Sequence, residues 1–279
     1  MILRKLAEAI RGQNWFTVVL EILIVVIGIF IGLQVDDWNE ARLNDARSRL
    51  FTERLIADLR EEAYIHAYML AYNEDVLQSA EAALRTLTAH TDANTDADTD
   101  ADPDADPDAD TDANNEAFLI NAFRASQFTW WPRSQSTLEE LISTGQLGLI
   151  RDDQLRSVAL AIYRSPILPN IEREGSESPY RKMFRSLIPM DVHRSIVAHC
   201  GDISVELGDY EALGTIMSFE CDPGLSRSEM EQAAAALKAE PELVSALRLR
   251  VATLDSQLRQ LRRGDDIADL KDYLDTRGE

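Results

Sequence analysis

Trp15 to Val35 reads WFTVVLEILIVVIGIFIGLQV, 21 residues with a single charge, Glu21. At about 1.5 Å per residue such a helix covers about 30 Å, the hydrocarbon thickness of a bilayer. A fully buried core helix is the soluble alternative. A run this long and this rich in β-branched residues favours the membrane. It is too long for the apolar part of a signal peptide, and Gln34 to Trp38 makes no small-x-small cleavage site. Trp15 and Trp38 flank it, where amphipathic rings prefer to sit. The expectation is an uncleaved transmembrane helix over residues 15–35.

Inside the span, Glu21, Gly28 and Gly32 fall on one face at 100° per residue. Small residues let two backbones approach, and an intramembrane acid seeks a polar partner. The face therefore predicts helix–helix contact and a homo-oligomer. The plainer reading is that glycine is common in membrane helices and that Glu21 reaches interfacial water. Residues 1–14 place Ile2, Leu3, Leu6 and Ile10 on one side, as a cytoplasmic amphipathic leader would. Arg4, Lys5 and Arg11 before the span are matched by Arg42, Arg47 and Arg49 after it. The basic count is a tie. The short basic leader puts the N-terminus in the cytoplasm and the rest outside, in a bacterial inner membrane and periplasm.

Beyond the span the chain reads as all-α. Residues 36–90 contain no glycine or proline and continue as a long helix. Ile56, Leu59, Ala63, His66, Leu70, Asn73, Leu77, Ala80, Leu84 and Leu87 repeat at 3-4 spacing, a coiled-coil-like seam. His66 and Asn73 interrupt it. Either they form a buried pair that fixes register or they mark an edge open to solvent; the edge is the reading taken. Residues 91–115 alternate aspartate with alanine, threonine and proline, and read as a disordered linker. Ten acids lie there, leaving the rest of the chain at −11 out of −21. Asp-x-Asp repeats suggest calcium, but the glycine turn and closing glutamate of such loops are missing. That acidic balance argues against a nucleic-acid partner.

Residues 116–279 read as a helical soluble domain. Ser136 and Glu139 match a capping box, Gly145 a helix stop, and Asp152 a second N-cap. Together they predict a helical hairpin, with Trp130 and Trp131 covering it or, alternatively, shaping a ligand pocket. A break is expected at Pro189. ISVEL and TIMSFEC are strands or loops. Ser226 with Glu229 form another box, Pro241 opens a helix and Gly264 stops it. Val244, Leu247, Val251, Leu254, Leu258 and Leu261 form a second seam, suited to packing on the first.

Three stretches, LEILIVVIGIFIGLQVDDWNE, SRLFTERLIADLREE and STLEELISTGQLGLIRDDQLRSVALAIY, together resemble an uncharacterised bacterial family of single-span membrane proteins, a domain of unknown function. Its recurring features are an anchor ending in Gln-x-x-x-Trp-Asn-Glu, here Gln34, Trp38, Asn39 and Glu40, and a Leu-x-Ser-x-Gly-x-Leu hairpin, here Leu141 to Leu147. The resemblance covers residues 10–70 and 125–165. It implies a bacterial membrane location and a helical soluble part, and it supplies no catalytic residues.

Chemistry is sparse. His66, His90, His193 and His199 are scattered, and His193, His199 and Cys200 lack the further ligands a zinc site needs. No phosphate loop, nucleophile elbow or dinucleotide fingerprint is present. No enzyme, cofactor or metal is expected. Cys200 and Cys221, the two cysteines, are expected to form a disulfide in an oxidising compartment, with Gly201, Gly208 and Gly214 letting the chain turn back. Two reduced thiols in a cytoplasmic domain are the alternative. The function that follows is structural or protein-interacting, with an unknown protein partner. The alternative is an envelope sensor with a pocket near Trp130 and Trp131.

Overall fold

A computed structural model describes residues 15–93 and 107–277. The expected leader over residues 1–14, and the middle of the acidic tract, lie outside the described residues. All regular structure among the described residues is helical. Helix α1 (Trp15–Ala93) is a single 79-residue helix, about 120 Å long. The expected span and the expected long helix are therefore one element. From Val19 to Leu43 every side chain is exposed, including Ile22, Ile24 and Phe30 at about 60 %. This end is long and apolar enough to cross a membrane, and none of it is buried inside the protein.

The folded part begins at Ser48 and gathers around the rest of α1. Helix α2 (Pro107–Ala125) folds back on it, and α3 (Ser136–Ser143), a 3₁₀ turn (Leu147–Leu149) and α4 (Asp153–Arg164) make the hairpin. Then follow α5 (Ile167–Ser176), α6 (Pro179–Leu187), α7 (Met190–Cys200), a 3₁₀ turn (Ala212–Thr215), α8 (Arg227–Lys238), α9 (Pro241–Arg263) and α10 (Asp265–Arg277). Helix α9 runs antiparallel along α1, and α10 continues toward the apolar end.

Local chemistry sets most boundaries. Gly145 adopts φ +68°, a conformation other residues reach only with strain. Around it Gln146 N–H donates to Leu141 O (2.8 Å) and Gly145 N–H to Ile142 O (3.1 Å), a Schellman stop. Asp152 accepts from the backbones of Gln154 and Leu155. Ser226 and Glu229 complete a capping box, and Pro241 opens α9.

Several expectations need correction. Ser136 is the first helical residue, not the cap: Gln135 caps α3, without a side-chain bond. The linker is shorter than residues 91–115, since α1 runs to Ala93 and α2 starts at Pro107. Proline at a first helical position loses no hydrogen bond, so it opens the helix instead of preventing it. ISVEL and TIMSFEC form no strand; one backbone bond, Ile203 N–H to Ile216 O (2.9 Å), ties them together.

The α1 stripe is also rotated. Its buried line is Leu55, Leu59, Glu62, His66, Met69, Asn73, Val76, Ala80, Ala83 and Leu87. Alternate positions lie one residue earlier than the apolar pattern suggests, and Ile56, Leu70, Leu77 and Leu84 are only half-buried. His66 and Asn73 are buried, not solvent-edge residues. Asn73 Nδ2 donates to Met69 O (2.7 Å), so its polarity is satisfied within the helix. In α9 the same happens: Arg250 and Gln257 occupy buried positions, while Val244 and Val251 are half-buried.

Two cores result. The proximal one, nearer the apolar end of α1, joins Phe51, Leu55 and Leu59 to Leu141, Ile150, Leu155, Val158, Ile162 and Leu270. The distal one joins Tyr64 to Leu87 with α2, α6, α7, α8 and α9. Each fully buried aliphatic side chain contributes about 1.5–3 kcal/mol of transfer free energy.

Candidate functional site

Between the two cores lies a polar layer. Glu62 on α1 is 2 % exposed and faces Arg133 in the connection between α2 and α3. Arg133 Nε donates to Glu62 Oε1 (3.2 Å) and Oε2 (3.0 Å), and Nη2 to Oε2 (2.7 Å). The same Nη2 donates to Ile162 O (3.0 Å) at the C-terminal end of α4, where helix carbonyls lack partners. Tyr163 lies under the guanidinium at 5.4 Å and donates to Ser134 O (2.8 Å). Burial raises the Glu62 pKa; the Arg133 hydrogen bond and charge pull it back, while Glu61 and Asp58 add to the rise. One guanidinium thus joins α1, the hairpin and the α2–α3 connection.

One turn along, His66 is 5 % exposed and neither ring nitrogen completes a well-formed hydrogen bond. The Leu261 carbonyl favours the protonated ring, but burial dominates and Lys271 adds to it, pushing the pKa down to about 4. The ring is therefore neutral at physiological pH. It lines a cavity of about 30 Å³ shared with Glu62, Arg133, Ser165, Gly264 and Asp266. That volume holds a water and excludes any organic ligand. No cluster of three metal-ligating side chains occurs among the described residues.

A second polar station closes α2. Tyr180 Oη donates to Ala122 O (2.9 Å), Arg250 Nε to Ala125 O (3.3 Å), Arg181 Nη1 to Ser126 O (2.7 Å) and Arg250 Nη2 to Gln127 O (2.8 Å). The unpaired carbonyls at the helix end meet two cations, as the helix dipole favours. Burial lowers both arginine pKa values to about 10, so both stay charged at neutral pH.

Comparison with family models, with curated proteins and with solved structures finds no match for this chain. The polar layer is therefore read from its own chemistry, which is that of a structural clamp. It holds charge and hydrogen bonds in place without a substrate-sized space beside them.

The residues singled out in the sequence fall as follows. Glu21, Gly28 and Gly32 lie on the exposed apolar end of α1, and a Cβ added at either glycine would meet nothing within 4 Å. Cys200 and Cys221 are brought together as a bonded pair, with Cα atoms 5.4 Å apart. Arg124 packs beside this pair, 3.6 Å from Cys221 Sγ, on a cleft of about 650 Å³. Gly224 (φ +67°) passes close to His199: a Cβ there would fall 2.7 Å from the imidazole. His193 lies against Phe123 and Phe184.

Trp131 does not cover the hairpin. Its ring packs edge-on against Tyr64 (6.0 Å) and Tyr68 (5.0 Å) of α1, within the distal core. Trp130 is 58 % exposed. Glu62 and Arg133 were missed in the sequence, although an acid at a 3-4 stripe position is the signal that marks Glu62.

Proposed function

We propose that this chain is a single-pass membrane protein whose helical bundle is a platform for protein interaction, with no catalytic step of its own. The observation that carries this reading is the continuity of α1. One helix passes unbroken from a wholly exposed apolar end into the middle of both cores. In this reading the membrane is a bacterial inner membrane, the N-terminus is cytoplasmic and the bundle periplasmic. The Cys200–Cys221 pair supports that side, because disulfides persist in oxidising compartments. Within the bilayer, Glu21, Gly28 and Gly32 are the face on which another membrane helix would pack.

Alkaline carbonate washing of membranes tests the anchor: the full-length chain should remain in the pellet. Release into the supernatant would refute it. Alkylation of intact cells under denaturing conditions, with and without reduction, tests the side. Two alkylatable thiols before reduction would place the bundle in the cytoplasm.

A further inference from the structure

The face of α1 turned away from the bundle continues beyond the membrane. At 100° per residue, Asn39, Leu43, Ala46, Leu50, Glu53 and Ala57 fall within about 40° of the line through Glu21, Gly28 and Gly32. All six are exposed, Leu43 at 52 % and Leu50 at 54 %. On one shoulder stand Arg42, Arg49 and Arg60, on the other Arg47 and Arg54. Between Asn39 and Arg60, Glu53 is the one acid on this face or its shoulders. This concentration of cations stands out in a chain of net charge −21. Arg42, Arg47 and Arg49 make no ion pair with a described residue, whereas Arg54 is engaged by Glu140 at 3.1 Å. At its upper end the stripe runs into a mostly apolar groove of about 380 Å³, lined by Ala57, Tyr64, Leu207, Tyr210 and Leu274, with Arg60 and Glu61 at its rim.

We propose that this face, residues 39–57 of α1, docks an acidic amphipathic helix belonging to another membrane-anchored protein. The proposal rests on the reading of the chain as an anchored interaction protein, and names the chemistry of its partner. Leu43, Ala46 and Leu50 at 3-4 spacing, flanked by Arg42, Arg47, Arg49 and Arg54, have the layout of one half of a coiled coil. A second copy is the wrong partner. Two copies in one membrane lie parallel, which sets Arg42 against Arg47, and Arg49 against Arg54, across the seam. Acidic residues at those flanks would turn four repulsions into four attractions. Ala93, where α1 ends, lies about 65 Å beyond Leu50, well away from this face.

The test uses full-length protein in discs of phosphatidylcholine, a lipid without net charge. The probe is a fluorescent 21-residue helical peptide with leucines at 3-4 spacing and glutamates on both flanks. A twin carries lysines instead. The acidic peptide should bind at least about tenfold more tightly than its twin. The triple reversal Arg42→Glu, Arg47→Glu, Arg49→Glu should invert that preference, and Leu43→Asn with Leu50→Asn should weaken the acidic peptide about tenfold. All five positions are exposed, so circular dichroism should be unchanged. Equal binding of the two peptides, or a preference indifferent to the reversal, overturns the proposal. So does efficient crosslinking of two copies through Leu50→Cys, which would give the face to a homodimer. If the anchor is wrong, the carbonate wash fails. If only the face is wrong, the protein stays in its disc and the peptides do not discriminate.

Discussion

The proximal and distal cores share one helix and are closed by different means. The proximal core is mostly aliphatic, with Phe51 and Tyr273 its buried aromatics, and its walls, the α3–α4 hairpin and α10, are short segments. The distal core is richer in aromatics, with Tyr64, Tyr72, Phe118, Phe123, Tyr180 and Phe184 fully buried. It carries the buried cation Arg250, hydroxyls bonded to remote carbonyls, and the Cys200–Cys221 pair. The difference is one of specification. Aliphatic packing fills space but tolerates rotation, whereas each buried polar group accepts few arrangements, because leaving it unpaired is costly. The Glu62–Arg133 layer between them belongs to neither and fixes the register of both.

The layer is where the comparison breaks most easily. Arg133→Ala leaves Glu62 buried without its partner and should cost about 3–5 kcal/mol in chemical denaturation. The double change Glu62→Met, Arg133→Met should cost much less, since no charge is stranded. Hydrogen exchange should show the loss of Arg133 loosening α3, α4 and α10 before α6 and α7. Removing the disulfide by Cys200→Ser and Cys221→Ser should do the reverse. It should cost about 3 kcal/mol, in the chain-entropy account, and loosen α7 while sparing the hairpin.

A third effect depends on pH. His66 titrates near 4 in the folded chain against an ordinary 6.5, so the unfolded chain takes the proton first. Its contribution is intact above about 6.5 and is lost progressively as pH falls toward 4, by about 3 kcal/mol at most. Glu62, with its raised pKa, acts in the opposite direction over part of that range. The difference between wild type and His66→Leu isolates the histidine. Wild type should lose stability relative to the variant between pH 6.5 and 4, and a constant difference would show His66 to be hydrated. The smallest effect should come from replacing residues 94–106 with a glycine–serine repeat of equal length. No large apolar residue occurs there, so thermal unfolding of both cores should shift by less than about 1 kcal/mol.

What could be read from the sequence was local. The apolar helix, the Gly145 stop, the Asp152 cap, the Ser226–Glu229 box and the bounds of α9 each depend on residues close together in the chain. What could not be read involved partners far along the chain. Glu62 meets Arg133 across 71 residues and Arg250 meets Ala125 across 125. A stripe traced through apolar residues passes over Glu62, Arg250 and Gln257, so both seams were read half a step out of register. Trp131 was misplaced for the same reason: its neighbours, Tyr64 and Tyr68, lie more than sixty residues before it. Glu21, Gly28 and Gly32 were legible as a face, but a single chain holds nothing to set against it.

Helix α1 contains no glycine or proline between Asp36 and Ala93, so nothing along it can act as a hinge. In the anchored reading proposed above, the bundle therefore follows the angle at which the span sits in the bilayer. From Val35 to Ala93 the helix rises about 87 Å, so a change of 10° in tilt sweeps its far end through about 15 Å. Turning the span about its own axis turns the outward arginine face by the same angle. In that reading any neighbour or change of bilayer thickness that reorients the apolar segment is read out, undamped and magnified, at the far end of the molecule.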